Sequence, residues 1–501
     1  MKILYKKWGI TFLLGVFALG GMAVEPKSDV SAKKVKVTRN KQKPNILFIA
    51  VDDLRPNLGC YGDRVAITPN IDQLANEGVL FSSAYCQAGS CAPSRTSLLT
   101  GLRPDEIGVI DHNTVFRDKV PNVVTLPQLF MQNGYEVINY GKIFHGHARF
   151  QDEQSWSQPA KYFPGSKKDQ YVLEKNRTGG KTASYESEDV DDDAYIDGVI
   201  ARDAIGFLQK RKYDDDPFFL AVGFFKPHLP FCAPQRYWDL YKEDILLSSQ
   251  QKERPTGAPE VAFHAWQELR GYADIPNAGP LTKEMELILR KGYYSCISYT
   301  DAQIGKVLNE LKRQGLDENT IVVLWGDHGY HLGEQDLWHK HTNYELDVRV
   351  PLIIKDPRGN KSGERIQLVE LLDIYPTLTD LCDIKSEQRL SGRSLKPLLQ
   401  KKSDKKWANY AFNQYFRPYK AIGGRMKPEY MGYSVRTDKY RYVGWFKQGQ
   451  DMPEKEELYD LSEHVVEKQN LAGRDKVKTI QKDLRERTIL YKNKSYKEAV
   501  K

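Results

Sequence analysis

Cysteine is scarce in this 501-residue chain, and its spacing excludes more than its number does. Cys60, Cys86, Cys91, Cys232, Cys296 and Cys382 show neither the close pairs of a zinc scaffold nor the ladder of a disulfide framework. If Cys91 is chemically modified, at least one of the remaining five is a free thiol or pairs between chains. Internal repeats are lacking, so the chain is not a solenoid or a propeller. Beyond the N-terminus no stretch is apolar enough to span a bilayer. A dominant charge is lacking too: 74 Lys and Arg face 66 Asp and Glu, a net charge of +8. That excess is compatible with a polyanionic substrate and gives no ground for expecting a nucleic-acid partner. What is present, 40% hydrophobic and 28% charged residues, describes an ordinary globular chain with room for one large core and a smaller domain.

Residues 1–23 differ from the rest. Lys2, Lys6 and Lys7 precede an apolar run from Ile10 to Leu19, and Gly21-Met22-Ala23 offers a small-x-small cleavage site. This predicts a secretory signal peptide, with a retained anchor as the alternative. The expected location is secreted or periplasmic, with no membrane span after cleavage. Residues 24–43 are read as a basic tether carrying Lys27, Lys33, Lys34, Lys36, Arg39, Lys41 and Lys43.

From residue 44 strand and helix patterns alternate. Apolar runs at Asn45–Val51, Tyr135–Tyr140, Pro217–Phe225 and Thr320–Trp325 predict buried strands, with Val350–Lys355 as a fifth. Helices are expected from Thr68, from Thr125 to Asn133, from Ile196 to Lys212, and from Lys283 to Gln314 with a bend near Gly292. Residues 148–195 and 246–280 lack periodicity, the former reading as a surface insertion. The whole predicts a doubly wound α/β core over 44–400. Residues 401–501 form a smaller α+β domain, with antiparallel strands at Tyr410–Tyr415, Tyr433–Arg436 and Tyr440–Phe446 and a closing helix over Lys476–Tyr491.

The first four strands each run into polar groups: Asp52-Asp53, Gly141-Lys142 with His145, Lys226-Pro227-His228, and Asp327-His328. Ligands bind at such carboxyl ends in open α/β sheets. Asp52, Asp53 and Asp327 suit a hard cation. Cys91-Ala92-Pro93-Ser94-Arg95, ending at Thr100-Gly101, places a cysteine just before a helix N-terminus, with Pro93 in the first turn and Gly101 as cap. Arg95 lies one turn on and offers a planar donor fork to an oxyanion.

Cys-x-Pro-Ser-Arg resembles the signature of the formylglycine-dependent sulfatases. Val51–Pro56, Gly59–Gly62, Pro69–Asp72, Phe219–Gly223, Leu332-Gly333-Glu334 and Met431–Ser434 narrow the likeness to the iduronate-2-sulfatase branch of that family. The resemblance covers nearly all of the chain after residue 43. It implies an alkaline-phosphatase-like large mixed sheet flanked by helices. It further implies oxidation of Cys91 to formylglycine by a maturation enzyme, and one Ca²⁺ held by Asp52, Asp53, Asp327, His328 and residue 91, His328 being the soft member of a hard set. Arg95, Lys142 and Lys340 would then stabilise sulfate oxygens, His228 would protonate the departing sugar oxygen, and His145 would help deprotonate residue 91. The implied substrate is a sulfated poly- or oligosaccharide, a 2-O-sulfated uronic acid being expected, with 148–195 and 246–280 shaping the pocket mouth. A phosphodiester or phosphonate monoester hydrolase of the same fold is the alternative enzyme. A secreted polysaccharide-binding protein is the alternative outside enzymes.

Overall fold

In the computed structural model residues 43–493 are described, apart from 162–166, 179, 214, 243–251, 360, 401–406, 419–427 and 465. The expected signal peptide, the tether up to residue 42 and the expected domain boundary after residue 400 therefore lie outside the described residues. All six cysteines are free thiols.

The elements that carry the site are, in chain order, β1 (Asn45–Val51), α1 (Pro69–Glu77), β2 (Val79–Phe81) and α2 (Cys91–Thr100). Next come α3 (Leu126–Gln132), β3 (Glu136–Gly141), α4 (Ile196–Leu208), β4 (Phe218–Phe224) and α5 (Lys283–Arg313). Then follow β5 (Thr320–Gly326), β6 (Leu352–Lys355), β7 (Gly363–Arg365) and α6 (Ile374–Leu381). The β1 to β7 strands form one seven-stranded sheet in the order β7-β2-β6-β5-β1-β4-β3.

Four consecutive strands, β5, β1, β4 and the edge strand β3, are parallel, as uninterrupted apolar runs suggest. Helices cover both faces. Along β1 the side chains alternate: Leu47, Ile49 and Val51 pack with Ile71, Ile200 and Ile304 from α1, α4 and α5. Ile46, Phe48 and Ala50 face Leu98, Phe130 and Leu378 from α2, α3 and α6. Burying each such aliphatic or aromatic side chain stabilises the fold by roughly 2 kcal/mol.

β6 departs from the parallel rule. It runs antiparallel to both β5 and β2. Between β5 and β6 the chain forms three two-residue strands, one 3-10 turn and one four-residue helix, so it has no crossover element long enough to carry it back to the other end of the sheet. The sheet is therefore mixed. The expected insertion at 148–195 is also more than a surface loop: Trp156, Tyr171 and Tyr195 are buried, and Tyr185-Glu186 pairs with Phe231-Cys232. α5 is continuous through Gly292, whose lack of a side chain admits Phe231 and Trp238.

β8 (Ala411–Arg417), β9 (Tyr430–Arg436), β10 (Tyr440–Lys447) and β11 (Lys455–Asp460) make an antiparallel sheet in chain order. α7 (Lys478–Asn493) closes one face, with Leu484 and Tyr491 on Phe412, Tyr442 and Leu458. The opposite face holds Leu337 and Tyr344 against Val443, Trp445 and Tyr459.

One pair of glycines sets the approach of β3 to β4. Gly141 (φ 81°) lies opposite Gly223, and the Lys142 amide donates to the Gly223 carbonyl at 2.9 Å. A β-carbon on Gly223 would stand 2.0 Å from the Lys142 carbonyl oxygen. Gly223→Ala should therefore lower the melting temperature, the backbone shift costing about 1–3 kcal/mol. Gly206→Ala, in α4 with nothing within 4 Å of the added carbon, should hold or raise it. Equal melting of the two variants would show that the strands can part freely.

Candidate active site

The parallel strands end on one side of the sheet, and their polar followers converge there. β1 ends in Asp52 and Asp53, the latter at φ 58°, a left-handed conformation that a non-glycine residue holds at a cost of about 1–3 kcal/mol. β5 ends in Asp327 and His328, and the Asp53 and His328 amides both donate to Asp327 Oδ1 at 3.0 Å. Cys91 is the first residue of α2 rather than the residue before it; extended Ser90 is the N-cap, and Pro93 still lies in the first turn, where its missing N–H is not needed. Cys91 Sγ lies 3.0 Å from His328 Nε2.

Arg95 is fully buried, and its fork is directed at the protein. Nε donates to Asp327 Oδ2 at 2.7 Å and Nη2 to Asp52 Oδ1 at 3.2 Å, while Nη1 reaches the Lys142 and Ile143 carbonyls. Lys142 Nζ donates to Asp52 Oδ2. Lys340 Nζ donates to both oxygens of Asp53, at 2.8 and 3.0 Å. His228 Nε2 pairs with Glu268 Oε1 at 3.1 Å, and the same oxygen lies 3.3 Å from Lys340 Nζ. His145 and His112 each bring a ring nitrogen to within 4.8 Å of Cys91 Sγ, and their rings stack. Every site residue expected from the sequence is thus brought to this one place.

Burial and opposite charge compete over each group. Burial and the neighbouring Cys91 would raise the Asp52 carboxyl, but Lys142, His228 and Arg95 hold it well below the usual carboxylate range. Burial would likewise raise the Cys91 thiol, but Lys142, Lys340 and His328 bring it far below the ordinary value. Asp327 is pushed up to about 7 by burial, despite Arg95 and His328. His328 goes up to about 10, because Asp327, Cys91 and Asp53 outweigh its desolvation. Burial, helped by His112 and Lys142, drives His145 down to about 3 although Cys91 opposes the shift. His228 moves up despite burial, through Asp53, Asp52 and Glu268 and against Lys340.

The donor set fits a divalent cation. Ligand atoms of Asp52, Cys91, Asp327 and His328 lie within 4.8 Å of one another, as do those of Asp52, Asp53, Cys91 and His228. Three buried carboxylates supply the hard oxygens that such an ion takes.

Two neighbours escaped the sequence reading. Glu268 sits in the aperiodic stretch 246–280, and no local pattern marks a carboxylate whose partners lie 40 and 72 residues away. His112 follows α2 in a bend and is placed by Ser90 Oγ at 2.8 Å, a signal visible only in three dimensions.

Residues 44–384 match the family described as Sulfatase, and residues 333–494 match N-sulphoglucosamine sulphohydrolase, C-terminal. Iduronate 2-sulfatase of Mus musculus is 34% identical over 466 residues, covering 80% of this chain and 84% of that protein. A solved structure of a protein in complex with its substrate D-glucosamine-2-N,6-O-disulfate has a TM-score of 0.71 at 23% identity, covering 91% of this chain and 99% of that one. The phosphonate monoester hydrolase of Agrobacterium radiobacter has a TM-score of 0.70 at 21% identity, with 88% and 93% covered. These two share the alkaline-phosphatase-like fold. Sulfatases generally use formylglycine and a divalent metal. A family match over most of the chain and a relative at 34% identity along 80% of it make this enzyme a member of the sulfatase family.

Proposed function

We propose that the enzyme hydrolyses the sulfate ester of a sulfated sugar, a 2-O-sulfated uronic acid of a glycosaminoglycan or similar polysaccharide. The observation that carries this reading is the ring of cations around residue 91, with Lys142, Lys340 and His328 all lowering the Cys91 pKa. Such a ring suits the tetrahedral, negatively charged head group of a sulfate ester. The name of the mouse relative favours a uronic acid as the sugar.

Once residue 91 is converted to formylglycine by a maturation enzyme and a Ca²⁺ ion is held by Asp52, Asp53, Asp327, His328 and residue 91, they supply a hydrated-aldehyde nucleophile and a Lewis acid for a sulfate oxygen. The chain's own groups do the rest. Lys142 and Lys340, kept charged by Asp52 and Asp53, present ammonium groups to the equatorial oxygens. Arg95 serves as a positioning residue, because its donors hold Asp52, Asp327 and the Lys142 carbonyl. His228, its pKa raised by Asp53, Asp52 and Glu268 despite burial and Lys340, donates the proton to the departing sugar oxygen. His145, kept neutral by burial beside residue 91, accepts the proton that must leave before sulfate is released.

A cationic pocket for a tetrahedral anion also accepts phosphorus, and the phosphonate hydrolase has the same fold. Assays on an aryl sulfate and an aryl phosphodiester separate the two readings, and a protein that only bound polysaccharide would turn over neither. We further propose that the chain is exported and that 44–400 and 401–501 are its two domains. Among the described residues no helix is long and apolar enough to cross a membrane.

Three outcomes test the mechanism. The tryptic peptide containing position 91 should be lighter than its thiol form by the change from CH₂SH to CHO. Cys91→Ala should lose at least about three orders of magnitude in kcat; full activity from an unmodified thiol would sink the reading. Chelation should lower both activity and melting temperature, since an ion bound only by the folded state stabilises it. Asp327→Asn should remove that sensitivity along with the activity, and a chelator without effect would make the carboxylates structural. His228→Ala should slow sugar sulfates by roughly two to four orders of magnitude. It should slow an activated aryl sulfate far less, because a good leaving group needs no proton. Equal losses on both substrates would assign His228 to sulfate binding.

A further inference from the structure

Glu268 uses only half of its carboxylate. Oε1 faces His228 and Lys340, while Oε2 is buried and has no hydrogen-bond partner. His339 Nδ1 lies across from it at 3.9 Å. His339 is itself completely buried, and neither of its ring nitrogens is hydrogen-bonded. One ligand atom each from Glu268, His339 and His341 lie within 4.8 Å of one another, so the three groups converge. Leaving such atoms unpaired costs about 1–3 kcal/mol apiece, which a structure retains only for a reason.

The backbone here is also held under strain. His339 (φ 61°) and His341 (φ 90°) flank Lys340 in left-handed conformations that cost a non-glycine residue about 1–3 kcal/mol. The His264 ring stacks on His339 with centroids 4.3 Å apart and fixes its plane. Two strained residues on either side of a cation of the active site indicate a built surface.

The charges around the gap select its occupant. A cation would meet Lys340 on the far side of Glu268, and a carboxylate would meet Glu268 Oε2 itself. Burial keeps His339 neutral, lowering it to about 4 despite Glu268, so its ring offers one donor and one acceptor. A hydroxyl meets these demands: it donates to the carboxylate and accepts from the imidazole. The 3.9 Å separation is too long for a direct hydrogen bond, and an oxygen about 2.8 Å from each atom would bridge them.

Building on the reaction proposed above, we propose that Glu268 and His339 form a subsite for the sugar hydroxyl adjacent to the sulfate ester, so that the enzyme requires a substrate with a free hydroxyl vicinal to the ester. Glu268 places this subsite against the leaving-group side, because its other oxygen touches both His228 and Lys340. His339-Lys340-His341 thus carries a sulfate contact in its middle and a sugar contact beside it. A sugar without that hydroxyl would leave Oε2 and the imidazole buried and unpaired at every turnover.

The test compares the methyl glycoside of a 2-O-sulfated hexuronic acid with its 3-deoxy counterpart. For the wild type kcat/KM should fall by about 100-fold on the deoxy substrate, the cost of unpaired buried groups. In His339→Ala the two substrates should come within about threefold of each other, and Glu268→Gln should narrow the ratio as well. His339→Asn is a second variant, since Asn tolerates the left-handed backbone; it should also lower the ratio while keeping the wild-type melting temperature. Because each readout is a ratio within one protein, partial unfolding does not imitate it. A wild type indifferent to the hydroxyl, or a ratio unchanged in the variants, would overturn the subsite. So would one zinc ion per active enzyme that is lost in His339→Ala, which would make the cluster a metal site. Turnover of 4-nitrophenyl sulfate separates the two levels: activity there without hydroxyl discrimination removes only the subsite, and no turnover of any sulfate ester removes the reaction beneath it too.

Discussion

Three carboxylates with no access to water set the terms for everything around them. Asp52, Asp53 and Asp327 are all fully buried, and isolated charges in that position would cost several kcal/mol each. The protein answers with Arg95 across Asp52 and Asp327, Lys142 on Asp52, Lys340 on Asp53 and His328 beside Asp53 and Asp327. These partners come from helix α2, from the ends of β3 and β5 and from the irregular link after β5. No local segment can satisfy the cluster alone. The charge balance is met only when the sheet is assembled and α2 is docked on it. Removing one partner is correspondingly costly, because it leaves an uncompensated charge in the interior.

The mixed sheet makes this convergence possible. Parallel strands with crossover helices send their polar followers to one side, and the antiparallel return of β6 leaves the link after β5 on that same side. The link is held from behind by the C-terminal sheet, where Val443, Trp445 and Tyr459 pack on Leu337 and Tyr344. Arg441, itself buried, contacts Glu345 and Glu467, so polar groups reinforce the apolar contact. Lys340 lies between those two anchors.

Much of the fold and of the site was legible in the sequence, for a physical reason. A strand buried on both faces must be apolar throughout, so Asn45–Val51 or Thr320–Trp325 can hardly be anything else, and the polar residues that follow mark where the chain meets the ligand side. The Cys-x-Pro-Ser-Arg run is similarly local, since helix start, proline and arginine lie within one turn. Strand direction was not legible, because β6 has the same composition whichever way it runs. The donor targets of Arg95 were hidden as well: a guanidinium looks the same in sequence whether it faces an oxyanion or three protein acceptors. Glu268 could not be found, since its meaning lies in distant partners and its own segment lacks periodicity. Burial of Trp156 and Tyr171 was missed because an aperiodic stretch can still cover a core with isolated aromatic anchors.

The seating of Lys340 on the C-terminal sheet has a consequence for the order in which the molecule is made. The strap from Leu337 to Tyr344 is translated well before the strands that support it, the last of which ends at Asp460. Until those strands emerge, Asn343 lacks both Gly432, whose carbonyl accepts from its side-chain amide, and Asn413, which donates to its side-chain oxygen. A chain that ends after β7 therefore has the partners of Lys340 at Asp53 and Glu268 but lacks the sheet that supports its strap from behind. The site lysine thus depends for its support on strands that lie far behind it in the chain.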